Sequence, residues 1–214
     1  MKRTSFLFVL ATLSLILVGC GLFGPPQNPF LYEERFSQSE GNSWYVSEGE
    51  VSKCWIGDGK YHFELKENKY LPTKNSAAGE YDDYQLDIDL YHIEGTNNKS
   101  VGGVIFRLVD WDNYYEFLVS PAGTFKFRKQ VENNWVDITG WTSSDAIVQG
   151  VGTNHLTVVA DGSLITLYVN DEQVYSGNDS SFSTGQIGVA VLSYTDNVEW
   201  MHVAFDNITV QALD

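Results

Sequence analysis

The chain has 214 residues, with 13 Lys and Arg against 28 Asp and Glu, a formal net charge of −15 at pH 7. Phosphate backbones are bound through Lys and Arg neutralisation, so this balance argues against nucleic acid as a partner. The same acidity suits a soluble secreted surface and needs no partner to explain it.

In chain order, MKRTSFLFVLATLSLILVGC opens with Lys2 and Arg3, runs apolar from Phe6 to Val18 and closes on small residues before Cys20. That is the layout of a secretory signal, and the run is too short and too lopsided in its flanks for a membrane span. Leu17-Val18-Gly19-Cys20 resembles the bacterial lipobox. The resemblance implies cleavage before Cys20 and lipid on that cysteine, against the alternatives of an ordinary signal cut nearby or a membrane helix. Buried acyl chains contribute about 0.8 kcal/mol per CH₂, so Cys20 would tether an exported domain to a membrane of the cell envelope. The organisation expected is a signal peptide over 1–19, a lipid-anchored Gly- and Pro-rich spacer over 20–29 and one domain over 30–214. By analogy with lipoprotein sorting, Gly21 would permit delivery to an outer membrane. Without Lys2 and Arg3, 11 basic side chains face 28 acidic ones, a net charge of −17. Cys54 is then the one thiol left, so no disulfide is available; VSKCWI reads as a strand, in which Cys54 is a small buried hydrophobe.

From Phe30 onward apolar residues alternate at period two between turn signals, without helical spacing. The pattern predicts strands at 30–36, 51–56, 60–65, 81–93, 101–109, 114–120, 123–130, 134–139, 154–160, 163–169, 185–193 and 199–211. Gly57-Asp58-Gly59 divides the second from the third, and Asp161-Gly162 reads as a two-residue type I′ turn. So many one-sided strands need a closed barrel or two packed sheets; the expectation is an all-β, two-sheet antiparallel sandwich.

The stretch RLVDWDNYYEFLV sets charged and aromatic residues among aliphatics. Alternation points Tyr115, Phe117 and Val119 inward, with Val104, Phe106 and Leu108 from the preceding strand, and leaves Arg107, Tyr114 and Glu116 outward. Ser120-Pro-Ala-Gly-Thr124 fits a three-residue hairpin with Gly123 left-handed, which turns Phe125 and Phe127 inward. Pairing Val109 with Tyr114 sets Arg107 across from Glu116, and Glu116 faces Arg128 on its other side. Two readings follow. One is a solvated ionic ladder, each pair stabilising the face by about 0.2–1 kcal/mol. The other is a sugar-binding face in which Arg107, Glu116 and Arg128 supply polar groups while Tyr114 and Trp111, at the loop tip, supply aromatic surface. Trp111 folding back to cap the sandwich is the alternative for that residue.

The phrases GNSWYV, GDGKYHF, VGGVIFRLVDWDNYYEFLVSPAGTFKF, NHLTVVADGSLITLYVND, GQIGVAV and FDNITV follow one another in the order of bacterial laminin-G-like domains. The chain thereby resembles the concanavalin A-like lectin/glucanase superfamily, and is similar to domains of the 3-keto-disaccharide hydrolase family, over nearly all of residues 30–211. The resemblance implies a jelly roll that hosts lectins, hydrolases and adhesive modules alike. It also implies a place for structural calcium at Asp206, completed by Glu33 or Glu34, although backbone amides would satisfy Asp206 as well. Asn170-Asp171 departs from the Asn-Gly common in relatives, which bears on turn geometry alone.

The glucanases of this superfamily carry Glu-x-Asp-x-Glu on one strand, and that run is missing here. The nearest substitute is YDDYQLDIDLYH, where Asp87 and Asp89 share one face, at a spacing that could approach the 5–5.5 Å or so of a retaining carboxyl pair. Outward aspartates are common, so no catalytic residue is assigned. His62, His92, His155 and His202 stand apart in sequence. The reading is a lipid-anchored cell-surface domain that binds glycans or another surface polymer without chemistry. The alternatives are a glycoside hydrolase of modified disaccharides and a protein–protein adhesion module.

Overall fold

The structure, a computed structural model, describes residues 30–37, 43–94, 100–194 and 200–213. The signal segment, Cys20 and the spacer lie outside the described residues. Among those described there is no helix, and the chain runs β1 (Phe30–Glu34), β2 (Ser47–Glu48), β3 (Ser52–Gly57), β4 (Lys60–Leu65), β5 (Asn68–Lys74), β6 (Tyr84–Glu94), β7 (Ser100–Asp110), β8 (Asn113–Ser120), β9 (Thr124–Val131), β10 (Asn134–Asp137), β11 (Thr142–Ser143), β12 (Gly152–Asp161), β13 (Leu164–Val169), β14 (Glu172–Asn178), β15 (Gln186–Tyr194) and β16 (Met201–Ala212). They form two antiparallel sheets. A nine-stranded sheet has the order β14-β13-β12-β6-β16-β4-β3-β2 with β1 beside β16, and a seven-stranded sheet has the order β10-β9-β8-β7-β15-β5 with β11 beside β9. This is the expected two-sheet sandwich, a jelly roll whose first and last strands pair, Glu34 opposite Ile208.

The inner faces supply the core. Leu86, Ile88 and Leu90 of β6 and Phe63 of β4 face Phe106, Tyr115, Phe117 and Phe127 of the other sheet, all buried. Phe106, Tyr115 and Phe127 stack or tilt at centroid separations of 5.2–5.9 Å, a spacing at which aromatic pairs gain about 0.5–1.5 kcal/mol beyond their buried area. Cys54 is buried, and its thiol donates to the Tyr45 carbonyl at 3.4 Å.

The turns follow their chemistry. Ser120 pairs with Thr124 around Gly123 at φ +79°, as the hairpin reading requires. Asp161, however, pairs with Leu164, so the loop is Gly162-Ser163. The left-handed requirement falls on Gly162 alone (φ +53°), as in a type II′ turn and not the expected type I′. Asn170 and Asp171, at φ +50° and +66°, take the type I′ pattern without glycine. Asparagine and aspartate bear a left-handed backbone better than other residues with a Cβ.

The seven-stranded sheet has a second buried cluster on its outer face, formed by Val101, Ile105, Leu108, Tyr114, Leu118, Ala190 and Leu192. Leu108 therefore points away from the main core, opposite to the alternation reading. The cause lies at Arg107. Asp110 pairs with Asn113 in the expected register, but Phe106 pairs with Tyr115, and the shift between them is a bulge in which Arg107 sits at φ +47°. Gly185 packs there so closely that a Cβ on it would stand 2.5 Å from the Arg107 carbonyl carbon. The bulge reverses the pleat at Leu108 and puts Ile105, not Arg107, across from Glu116.

Candidate functional site

Arg107 consequently leaves the predicted ladder. Its side chain is fully buried, and its five N–H groups are all engaged. Nε and Nη2 donate to the Asp82 carbonyl at 3.3 and 2.9 Å, Nη1 to those of Gly162 and Phe182 at 2.7 and 3.1 Å, and Nη2 also to Asp83 Oδ1 at 3.3 Å. Three loops at one end of the sandwich are tied by one guanidinium. It is a structural residue and presents nothing to a ligand.

The other predicted residues do meet on the outer face of the seven-stranded sheet. Glu116 on β8 and Arg128 on β9 are cross-strand partners, and Arg128 Nε donates to Glu116 Oε2 at 2.5 Å. The pair is not the solvated ladder of the sequence reading, since the Glu116 side chain is wholly buried and that of Arg128 is 10% exposed. Tyr70 and Trp135 cover it. The Tyr70 hydroxyl donates to Glu116 Oε1 at 2.7 Å and shares a hydrogen bond with the Tyr114 hydroxyl at 2.9 Å. The Arg128 guanidinium lies 3.5 Å from the Trp135 ring centroid, a desolvated cation–π stack. Trp135 in turn stands edge-on to Tyr70 and Tyr114.

Tyr114 is thus on the predicted face but buried within it. Trp111 folds back edge-on against Tyr114 at 6.2 Å and stays 42% exposed. The polar tip around it is an Asx turn, with Asp110 Oδ1 accepting from the Asp112 N–H and the Asn113 amide. Trp135, Tyr70 and Tyr194 are also exposed to about the same degree. Two open cavities flank the cluster. One of about 320 Å³ is lined by Asn68, Lys69, Arg128, Trp135 and Tyr194, and one of about 430 Å³ by Tyr45, Lys74 and Trp111.

Burial sets the electrostatics here. It pushes the Glu116 carboxyl above its ordinary range, while the Arg128 guanidinium and the Tyr70 hydroxyl pull it back. Burial and the Glu116 charge hold Tyr70 protonated, and burial pushes Tyr114 up to about 12. The face therefore offers rigid aromatic surface, phenolic hydroxyls and a fixed guanidinium, and the one carboxylate beneath it is sealed from water.

The opposite face of the molecule holds Asp87 and Asp89. Both are on β6, and Asp87 lines a shallow trough of about 680 Å³ together with His155 and Thr157. His155 bridges them, with Nδ1 2.7 Å from Asp89 Oδ1 and Nε2 3.5 Å from Asp87 Oδ1. Asp87 also accepts from Thr157 and Gln85, and Asp89 from Asn207. These bonds outweigh burial at Asp87 and lower both carboxyls, while the two aspartates raise His155 to about 10. Two carboxylates bridged by one imidazolium, with a net charge of −1, form a closed network. Glycosidic cleavage by a carboxyl pair needs one kept protonated beside one ionised, and here both are shifted toward the ionised form.

The remaining expected groups are engaged locally. Glu34 Oε1 accepts from the Phe36 N–H and Asp206 Oδ1 from the Asn207 N–H, both at 2.7 Å, and Glu33 accepts from Arg35. No cluster of three His, Cys, Asp or Glu suited to a metal ion occurs among the described residues. His62 and His202, far apart in sequence, are brought together: His62 Nδ1 lies 2.9 Å from His202 Nε2, and Trp55 stacks on His62.

Tyr70 and Trp135 were not singled out in the sequence. The alternation reading found no strand at Asn68–Lys74, because Pro72 interrupts it; β5 tolerates Pro72 as an edge strand paired with β15 alone. Trp135 falls in a predicted strand, but stacking on Arg128 has no sequence signal beyond a tryptophan in a polar setting.

No family model matches the chain, and no curated relative matches it in sequence. Solved structures do match in fold. The carbohydrate binding module CBM66 from Bacillus subtilis superposes with a TM-score of 0.63 at 21% identity, covering 82% of this chain and 99% of that one. The Bacillus licheniformis beta-glucanase gives 0.62 at 10% identity, covering 85% and 98%. The laminarinase from Flavobacterium sp. UMI-01 gives 0.60 at 12% identity, covering 85% and 99%. At these identities the likeness is one of fold: the chain is a two-sheet antiparallel jelly roll, the architecture of the carbohydrate binding module and the glucanases it superposes on.

Proposed function

We propose that this protein is a carbohydrate-binding domain held at the cell surface by lipid on Cys20, and that it binds its glycan on the outer face of the seven-stranded sheet without cleaving it. The observation that carries the reading is the part-exposed aromatic surface of Trp135, Tyr70, Trp111 and Tyr194, of which Trp135 and Tyr70 are fixed over a buried ion pair. Sugars present C–H faces to planar rings and hydroxyls to oriented polar groups, and this face supplies both. The fold likeness to a carbohydrate binding module and to glucanases supports the same ligand class. Binding without hydrolysis accords with the sealed Glu116 and the closed Asp87–His155–Asp89 network.

A glycan array probed with the full chain tests the reading. Retention of a defined set of saccharides, lost in Trp135→Ala, is the expected result. A blank array together with reducing sugar released from a 3-keto-disaccharide would replace the binder by the hydrolase. Lipid on Cys20 is tested separately, by mass spectrometry of the mature N-terminus and by release from the membrane fraction in Cys20→Ser.

A further inference from the structure

Arg128 carries donors that the protein does not use. Its Nε is consumed by Glu116, and its Cζ lies 3.5 Å from the Trp135 ring centroid, two contacts that hold the guanidinium in place. Nη1 and Nη2 have no hydrogen-bond partner among the described residues, and they are not sealed groups, since Arg128 lines the 320 Å³ cavity. A guanidinium held through Nε presents its far edge, two parallel N–H bonds, and the complement of that edge is a carboxylate bound in bidentate fashion. The residue is more than nine-tenths buried, so the fork does not wander.

The neighbours agree in charge. Lys69 lines the same cavity, is exposed and has no ion-pair partner among the described residues. Glu116 offsets Arg128, and Asp137 on β10 is held by Lys126 at 2.8 Å, which leaves Lys69, among the described residues lining the cavity, as the charge without an ion-pair partner. A net-acidic protein repels polyanions at long range. At physiological salt, however, charges beyond about 8 Å are largely screened, and the local cation dominates contact.

We infer that the ligand bound at this face is a saccharide carrying a carboxylate, a uronic-acid residue whose acid group sits on the free edge of Arg128 beside Lys69 while its ring packs on Trp135. The inference rests on the carbohydrate-binding reading above.

The experiment compares, by titration calorimetry on the full chain in detergent, oligosaccharides of galacturonate, glucuronate and mannuronate, each with its methyl ester, which keeps the ring and removes the charge. At least one acid form is expected to bind tenfold or more tighter than its ester, with the preference weakened by salt. Arg128→Lys, which keeps the charge and loses the fork, should abolish most of that preference while binding of the ester persists. If that variant does not fold, as judged by near-ultraviolet circular dichroism, Lys69→Ala decides: the preference should fall severalfold there. Equal affinity for acid and ester, or a preference undiminished in the variants that fold, overturns the inference and leaves the binding reading standing. Absence of binding to any saccharide, charged or neutral, overturns both.

Discussion

The Tyr70 hydroxyl donates to the Glu116 carboxylate at 2.7 Å although the two residues lie on β5 and β8, with β15 and β7 between them. Three strand spacings in a flat sheet measure about 14 Å, a gap that side chains standing perpendicular to the sheet do not close. The seven-stranded sheet is therefore curled toward its outer side, and the curl encloses the second apolar cluster with the Glu116–Arg128 pair among it. Removing Tyr70 should loosen that closure. Tyr70→Phe, which deletes a hydrogen bond to a charged group, is expected to cost about 2 kcal/mol, and Glu116→Ala, which strands Arg128, about 3 kcal/mol or more. Urea unfolding of the two variants measures both, and costs within error of zero would contradict the enclosed pair.

Arg107 should behave as a core residue despite its charge. Arg107→Met leaves the carbonyls of Asp82, Gly162 and Phe182 without the buried guanidinium that ties them together. The expected loss is about 3 kcal/mol or more, read as a lowered unfolding midpoint, with affinity for any bound glycan unchanged in the protein that remains folded.

Stability should pass through a maximum near pH 6.5, because two histidines are shifted in opposite senses. His92 is buried and its imidazole is pushed down to about 4. A depressed native value favours the neutral ring, so its contribution is present above the unfolded value of about 6.5 and is lost as pH falls toward 4, a swing of about 3 kcal/mol. His155 is raised to about 10 by Asp87 and Asp89, so its contribution is present below about 6.5 and is lost as pH rises toward 10. Thermal unfolding across pH 4–10 checks this. His155→Gln should flatten the alkaline limb and leave the acid one.

At the site, aromatic truncation should separate stacking from support. Trp135→Ala removes the ring on which Arg128 lies and should weaken glycan binding by tenfold or more, whereas Trp111→Ala, at the edge of the cluster, should cost about 1 kcal/mol, or fivefold. Intrinsic fluorescence titration of each variant gives the ratio, and an unchanged affinity in both would remove this face from consideration.

Much of this architecture is legible in the sequence because period-two alternation is a property of each strand alone. Phe117, Val119, Phe125 and Phe127 point inward as their spacing dictates, and Glu116 meets Arg128 because Gly123 fixes the hairpin between them. Arg107 was misread because a bulge is set by a distant partner, here the close approach of Gly185, and one such residue reverses the face of its neighbour Leu108. Tyr70 was missed because β5 is an edge strand carrying Pro72, whose place in the sheet comes from β15 and not from its own pattern. His62 and His202 touch only because β4 pairs with β16 across most of the chain. Strand content is local information, whereas the site is built from contacts between strands that the local pattern does not encode.

The measurement that bears most directly on the function is the affinity of the full chain for an array-selected saccharide, compared between Trp135→Ala on the seven-stranded sheet and Thr157→Ala in the trough of the nine-stranded sheet. Binding lost in Trp135→Ala and retained in Thr157→Ala is the predicted result. Binding retained in Trp135→Ala and lost in Thr157→Ala would place the ligand on the opposite sheet and contradict the account.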